Sequence, residues 1–413
     1  MARLPRIGVL ALLGTSLVAP SVLAQQQAPE PSPNVTVEER RRPQFDPLGI
    51  RAGGFLIFPR LQLGLEYDSN VFATENNEED DFGLLIRPGL SINSQWSRHA
   101  LNLTAFGDFA LYEEFDENNY QDFGASVDGR LDITRSDVLN GSLSLARRHE
   151  GRDDPESTRA GDIRQYFDGL ARLAYRKEFT RVFGVIGGSI GRLDYIEGNF
   201  DEDVRDRNTY GIDLRVGYEI SPRFDVFVQG DYSITKYDRN RDNAGFEQDS
   251  TGWGISVGTA IDFTGLLFGE ASVGFIRRDY DDGDLDDING PGAAVNLTWN
   301  VTTLTSILFD ASSAIVETTQ FGASGNLRST AGVEVQHELL RNLILIGRLG
   351  LQRDDFEGID RTDHTFRARA SARYLLNRNL SLDGGYEFAT RDSDARGADY
   401  DRHILRIALT GRL

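Results

Sequence analysis

The feature that most constrains this chain is a two-residue alternation of apolar with polar or small side chains. It recurs in segments of about 10 to 14 residues from Phe55 to the end. In LQLGLEY (61–67), apolar side chains alternate with glutamine, glycine and glutamate. Successive side chains of a β-strand point to opposite faces, so each segment predicts a strand with one apolar and one polar face. The 43 glycines, 24 phenylalanines and 14 tyrosines are typical of a β protein.

The connections between these segments alternate between short and long. Eight short ones, such as SPR (221–223), alternate with nine long and mostly acidic ones, such as the region 353–363, and together they join eighteen strands. Transmembrane β-barrels of bacterial outer membranes have short periplasmic turns, long extracellular loops and apolar positions that face lipid. Because backbone groups in lipid must all be paired, such a barrel is closed. The sequence therefore predicts an all-β fold: a transmembrane antiparallel up-and-down β-barrel of about 18 strands, with short periplasmic turns and long acidic extracellular loops.

A soluble β-sandwich or a β-solenoid is the alternative fold. A sandwich buries its apolar faces against each other, and its loops need not sort into short and long by position. Eighteen strands would also be a large number for one sandwich. The pattern of connections therefore favours the barrel.

The first residues predict export. Arg3 and Arg6 precede an apolar run, 7–18, that is too short to span a membrane, and a small-residue cleavage site follows at 22–24. We expect residues 1–24 to be a secretory signal peptide that is removed from the mature chain.

Two further regions follow the signal. Residues 25–53 are rich in glutamine and proline at their start and predict a periplasmic N-terminal segment that is partly disordered. Residues 54–413 are the predicted outer-membrane β-barrel. The stretch FDPLGIR (45–51) could dock a periplasmic partner or plug the pore, and the sequence leaves both open.

Composition and motifs argue against several functions. The chain has no cysteine, and 64 acidic against 44 basic residues give a net charge of -20, which makes nucleic acid a poor partner. Two G-x-S-x-G matches, 187–191 and 254–258, lie inside predicted strands and not in the strand–turn–helix context of a nucleophile elbow. The acidic stretch 279–287 lacks the spacing of a calcium loop. We therefore predict no enzyme activity, no cofactor and no metal site.

One short motif carries a family resemblance. YDSNVF (67–72), with FDPLGIRAGGF and FPRLQLGLE before it, resembles the bacterial family of outer-membrane β-barrels known as β-barrel porins of the second type. The resemblance is sharpest over residues 38–93. Members are often encoded in exopolysaccharide clusters, so the resemblance implies an outer-membrane location and passage of a secreted polymer. Asp68, Ser69 and Asn70 are turn formers, which favours an architectural role for the motif over substrate contact.

Charged residues on the polar strand faces predict the lining of the lumen. Two interpretations stay open: a ladder of salt bridges that stiffens the wall, or an arginine-rich track that guides an anionic polymer or solute. The predicted pore-lining arginines are Arg87, Arg130, Arg148, Arg172, Arg176, Arg215, Arg348, Arg367, Arg369, Arg373 and Arg406.

The main functional hypothesis is passive passage of secreted exopolysaccharide across the outer membrane, dependent on periplasmic and inner-membrane export proteins. Outer-membrane lipid and lipopolysaccharide are the other expected partners. The alternative is a general or anion-selective diffusion porin for small solutes or oligosaccharides, and a third is a structural or adhesive barrel with an occluded pore. A wide lumen would favour polymer export, whereas a loop such as 151–163 or 238–249 folded inside would favour a selective porin.

Overall fold

The computed structural model describes residues 34–157, 161–196, 203–263, 265–318 and 320–413, so the predicted signal peptide lies outside the described residues. No helix in these ranges is long and apolar enough to cross a membrane. Two 3-10 helices span Asp116–Asn118 and Asp203–Arg205. The strands are β1 Ile50–Ala52, β2 Phe55–Asp68, β3 Asp81–Ser94, β4 Ala100–Tyr112, β5 Tyr120–Asp132, β6 Asp137–His149, β7 Gln165–Glu178, β8 Val182–Tyr195, β9 Arg207–Ser221, β10 Phe224–Tyr237, β11 Ser250–Phe263, β12 Leu267–Tyr280, β13 Ile288–Thr302, β14 Thr305–Glu317, β15 Gly325–Leu340, β16 Leu343–Glu357, β17 Thr362–Leu375, β18 Leu380–Ser393 and β19 Tyr400–Arg412.

Strands β2 to β19 form the closed antiparallel barrel of eighteen strands that the alternation predicts. Each strand pairs with the next, and β19 pairs back with β2, from Ile404 opposite Asp68 to Arg412 opposite Arg60. Closure leaves no unpaired strand edge, which is the condition for a sheet that crosses lipid.

The two faces of the barrel differ in chemistry as the sequence indicates. On β2, Leu61, Leu63 and Leu65 point outward and are 46%, 48% and 57% exposed, whereas the inward Glu66 is 4% exposed. Rows of exposed leucine would be an aggregation hazard in water, but they suit a surface in contact with acyl chains. The interior of the barrel is therefore the polar side.

One predicted loop is wrong in length. The sequence analysis treats 353–363 as a long connection, but β16 and β17 extend into it and leave only residues 358–361 outside the strands. Two of its acidic residues point into the barrel: Asp354 binds Arg328, and Asp363 binds Arg361 through two hydrogen bonds of 2.9 and 2.6 Å. Asp354 thus belongs to β16 and Asp363 to β17, because arginine side chains inside the barrel bind these two carboxylates.

A short hairpin that the sequence analysis did not predict precedes the barrel. Strand β1 pairs with the start of β2 through a turn at Gly53, whose φ of +57° favours glycine. Phe55 packs edge-on against Trp96 of the first short turn, with ring centroids 5.3 Å apart. The hairpin thus fixes the entry of the chain into β2.

The YDSNVF motif joins the first and last strands of the barrel. The Asn70 side chain, fully buried, accepts from the Thr74 amide at 3.0 Å and donates to the carbonyl oxygens of Thr74 at 2.8 Å and Asp401 at 3.0 Å. Ser69 exchanges two hydrogen bonds with the backbone of His403. The residues with turn-forming side chains therefore tie the β2–β3 loop to β19, which is an architectural role.

Substitution Asn70→Ala is expected to weaken barrel closure. It leaves two partly buried carbonyl oxygens and one amide without their partner, which should cost about 1–3 kcal/mol. The measurement is the temperature at which the folded band of the detergent-solubilised barrel converts to the unfolded band on gel electrophoresis. Asn76→Ala, in the exposed part of the same loop, is the control and should leave that temperature unchanged.

Candidate functional site

The eleven arginines predicted to line the lumen all lie on inward faces of strands. Ten of them have a carboxylate oxygen within 4.0 Å, and Arg148 instead lies over the ring of Phe106, 5.4 Å from its centroid. The pairs are Arg87–Asp108, Arg130–Asp132, Arg172–Asp213, Arg176–Glu178, Arg215–Glu270, Arg348–Asp310, Arg367–Asp153, Arg369–Glu387, Arg373–Asp383 and Arg406–Glu66.

This pairing is the arrangement of a salt-bridge ladder. Each pair joins charges that would otherwise lose hydration on a crowded wall, and the charge-assisted hydrogen bonds fix both side chains. Contact between these arginines and a passing solute stays a prediction.

The strands that carry the two G-x-S-x-G matches have small inward side chains within those motifs. The motif 254–258 lies within β11 and places Gly254, Ser256 and Gly258 on the inner face, and the motif 187–191 lies within β8. Neither has the turn that a catalytic serine needs. The space above these small residues is occupied by neighbouring strands, because Asp231 and Phe227 lie where a Cβ at Gly254 and Gly258 would point.

The connection between β6 and β7 folds into the lumen; residues 150–157 are called the lumen loop below. Asp153 Oδ2 accepts a hydrogen bond from Arg367 Nη2 at 2.8 Å, although 214 residues separate the two. Glu156 accepts from the hydroxyl of Thr318 at 2.6 Å, across 162 residues. The lumen loop therefore bridges from one wall of the barrel to strands on the other side, as 151–163 was predicted to do in a selective porin.

The N-terminal end of the lumen loop is fixed at its own side of the barrel. Arg152 donates to the Asn118 side chain at 2.7 Å and lies 5.4 Å from the centroid of the Phe72 ring. The Glu150 carboxylate forms an ion pair of 2.9 Å with Arg205. The loop is thus held at both sides of the barrel by charged groups.

The anchor Asp153 is ionised over the whole range of ordinary pH. Burial raises its pKa, but the charges of Arg367 and Arg402 lower it by more, so that the pKa lies well below the usual range of a carboxyl. Its neighbour Asp154 differs, because burial and the Glu150 carboxylate raise its pKa. The attachment to the arginines consequently persists until strongly acid pH.

The second candidate loop, 238–249, covers neighbouring strands. Its Phe246 packs against an apolar cluster that contains Tyr280, Leu285 and Ile288. Within it and beside it, Glu247, Asp249 and Asp281 place carboxylate oxygens within 4.8 Å of one another. Lys236 Nζ lies 2.9 Å from Asp249 and 3.0 Å from Asp281, so an ammonium group already neutralises this cluster.

The N-terminal segment, residues 34–49, occupies the lumen at the end with the short turns. Val37 is fully buried, and its amide donates to Ser306 Oγ at 3.0 Å. Arg42 forms an ion pair of 3.0 Å with Glu338, and both side chains are only 4% exposed. Thus a stretch predicted to be partly disordered has, from residue 34 onward, a defined seat on the wall formed by β14 and β15.

The same segment also contacts the opposite side of this opening. Glu38 Oε1 accepts from Arg373 Nη1 at 2.7 Å, and the carbonyl oxygen of Phe45 accepts from Arg412 at 3.2 Å. Leu48, by contrast, is 69% exposed. The first residue of FDPLGIR therefore contacts the barrel through its backbone, while the Leu48 side chain is exposed, and the two roles left open for this stretch stay predictions.

Sequence reasoning missed three of the residues that hold these elements. Asp153 was assigned to a loop, and nothing local indicates that its partner is an arginine 214 residues away. Arg391 was assigned to the predicted acidic loop 391–401, and Arg402 lies between that loop and the predicted last strand, 403–413, although it shares the inward parity of Arg406. Extending the apolar–polar alternation of the last strand by two residues, from Ile404 toward the N-terminus, would have placed Arg402 on the inward face.

Comparison with known proteins agrees with the barrel. The model of the family "Putative beta-barrel porin 2" matches residues 42–413, and the chain belongs to this family of bacterial outer-membrane β-barrel proteins. No curated protein matches the chain. Among solved structures, OpdL of Pseudomonas aeruginosa is similar with a TM-score of 0.45 and 12% identity, covering 88% of this chain and 99% of that one. A BenF-like porin from Pseudomonas fluorescens Pf-5 has a TM-score of 0.47 and 10% identity, covering 86% and 99%.

Seating of the N-terminal segment should be favoured by acid. Burial is the largest effect on the Glu38 carboxyl and raises its pKa. The Glu334 and Asp383 carboxylates also raise it, and these effects together exceed the lowering by Arg373. A raised pKa means that the seated segment binds a proton more tightly than the released one, so seating weakens as pH rises through that pKa. Glu38→Gln should therefore seat at least as well as wild type at neutral pH and lose the pH dependence.

The measurement uses the absence of native cysteine. A single Val37→Cys reports release of the segment through its rate of reaction with a maleimide, and Leu48→Cys, which is exposed, calibrates the reagent at each pH. Faster labelling of Cys at 37 after Glu38→Gln would show that the Arg373 ion pair dominates and would contradict the expected direction.

Proposed function

We propose that the protein is a passive diffusion pore of the outer membrane for small solutes. The observation that carries this proposal is the lumen loop, which crosses the channel from Glu150 to its contact with Arg367. A bridge held by ionised groups narrows the passage without closing the whole cross-section, which is how a pore selects solutes by size. Membership of a porin family supports the same function.

The seated N-terminal segment supports small solutes over polymers. A polysaccharide chain needs a continuous wide lumen, but here the lumen loop restricts the outer half and residues 36–46 restrict the periplasmic end. Release of the segment would break the buried Arg42–Glu338 pair, and separating buried charges is costly. Export of polymer would therefore require two rearrangements before the first sugar could enter.

Removing the two carboxylates that anchor the lumen loop should enlarge the pore. In Asp153→Ala with Glu156→Ala, the loop loses the hydrogen bonds to Arg367 and Thr318, each worth about 1.5 kcal/mol or more because one partner is charged. We expect a higher single-channel conductance in planar bilayers and passage of larger neutral sugars in liposome swelling.

A matched control removes the same number of carboxylates elsewhere. Glu75→Ala with Glu78→Ala alters an exposed part of the β2–β3 loop and should leave conductance and size limit unchanged. If the anchor variant and this control conducted like wild type, the lumen loop would not be the element that limits passage.

A test in the cell separates the two transport hypotheses. Deleting the gene in the native bacterium should slow uptake of small solutes and leave the amount of surface polysaccharide unchanged. Loss of surface polysaccharide that the intact gene restores, with uptake unchanged, would overturn the proposal in favour of polymer export.

A further inference from the structure

Three neighbouring inward residues form the wall beneath the tip of the lumen loop. Thr365 of β17 stands opposite Arg391 of β18, and Arg391 stands opposite Tyr400 of β19. They are 3%, 3% and 2% exposed, and the Arg391 guanidinium lies over the Tyr400 ring, 5.0 Å from its centroid. The register therefore places a guanidinium between two hydroxyl groups.

Apart from Arg391 Nη2, which donates to the Asp153 carbonyl oxygen, the donors of this trio are not used within the part of the chain that the structure describes. Arg391 Nε and Nη1, Tyr400 Oη and Thr365 Oγ1 are buried and have no hydrogen-bond partner there. The Asp363 carboxylate oxygen lies 4.0 Å from Arg391 Nε, but two hydrogen bonds already join Asp363 to Arg361. Buried donors without an acceptor are costly, and so many in one place mark a site built to receive an acceptor.

The charges around the trio favour an anion. Four arginines contribute positive charge, namely Arg361, Arg367, Arg391 and Arg402. The three carboxylates that contact them, Asp68, Asp153 and Asp363, contribute three negative charges. One positive charge is left over. The wall already accepts a carboxylate from the lumen loop, because Asp153 binds Arg367 and its carbonyl oxygen accepts from Arg391.

We propose that this trio is a binding subsite for the carboxylate of a small monoanionic solute. The tip of the lumen loop, which contacts the same wall, competes with the solute for this subsite. The proposal rests on the pore function proposed above. A guanidinium offers parallel donors that match the two oxygens of a planar carboxylate, and the hydroxyl groups of Thr365 and Tyr400 supply further donors. Because the tip covers these donors, a solute reaches them when the tip lifts, and bound solute then stabilises the lifted loop.

The test measures block of single-channel current by benzoate in planar bilayers. Tyr400→Phe and Thr365→Val each remove one donor while keeping the shape, and each should weaken benzoate binding by about tenfold, as expected for a hydrogen bond to a charged group. Asp153→Asn removes the competing charge and should strengthen benzoate binding. Weaker benzoate binding in Tyr400→Phe and Thr365→Val, together with stronger binding in Asp153→Asn, distinguishes a ligand site from a structural role.

Tyr386→Phe is the matched control, because Tyr386 lies on the outer face of β18 and bonds there to His403. It should bind benzoate like wild type. Benzyl alcohol tests the need for charge and inorganic phosphate tests the commitment to a carboxylate; either one blocking as strongly as benzoate would overturn the proposed ligand class. Equal benzoate block in wild type, Tyr400→Phe and Thr365→Val would overturn the subsite.

Failure of this inference is distinct from failure of the pore function. Channels that conduct and show the size limit expected above, without selective benzoate block, overturn the subsite alone. Purified, folded barrel that forms no conducting channels overturns the pore function and the subsite with it.

Discussion

The structure depends on the pairing of the last strand with the first. The hydrocarbon core of a bilayer has no water to hydrogen-bond the backbone of an unpaired strand, so the sheet must close by pairing its last strand with its first. The β19–β2 register brings Arg402 beside Asp68 and the β2–β3 loop beside Asp401, so the closure that satisfies the backbone also fixes the upper wall of the lumen. Pairing of β19 with β2 therefore forms the wall that the lumen loop contacts.

A single strand, β17, connects the outer mouth with the periplasmic end. Its inward arginines at 367, 369 and 373 bind three carboxylates of different origin: Asp153 of the lumen loop, Glu387 of the neighbouring strand and Glu38 of the N-terminal segment. Non-strand elements at both ends of the pore are therefore held by the same chemistry as the wall itself. Arginine suits this use because it stays charged whatever its surroundings.

Local pattern predicts the barrel well and the contents of its lumen poorly. A period of two fixes strands, faces and the inward position of residues such as Arg87, because these depend only on neighbours in sequence. The length of the connection 353–363 was wrong because acidity was taken to indicate a loop, while Asp354 and Asp363 have inward arginine partners. The bridge from Asp153 to Arg367 joins residues 214 apart, and no periodicity reports such a contact.

The seat of the N-terminal segment sets an order of events during biogenesis. Residues 36–46 are synthesised before any barrel strand, yet Val37 and Arg42 bind residues of β14 and β15, and Phe45 binds Arg412 at the end of β19. The segment cannot reach its final position until the last strand has formed. The first part of the chain to be synthesised is therefore among the last to complete its contacts, no earlier than the strand that closes the barrel.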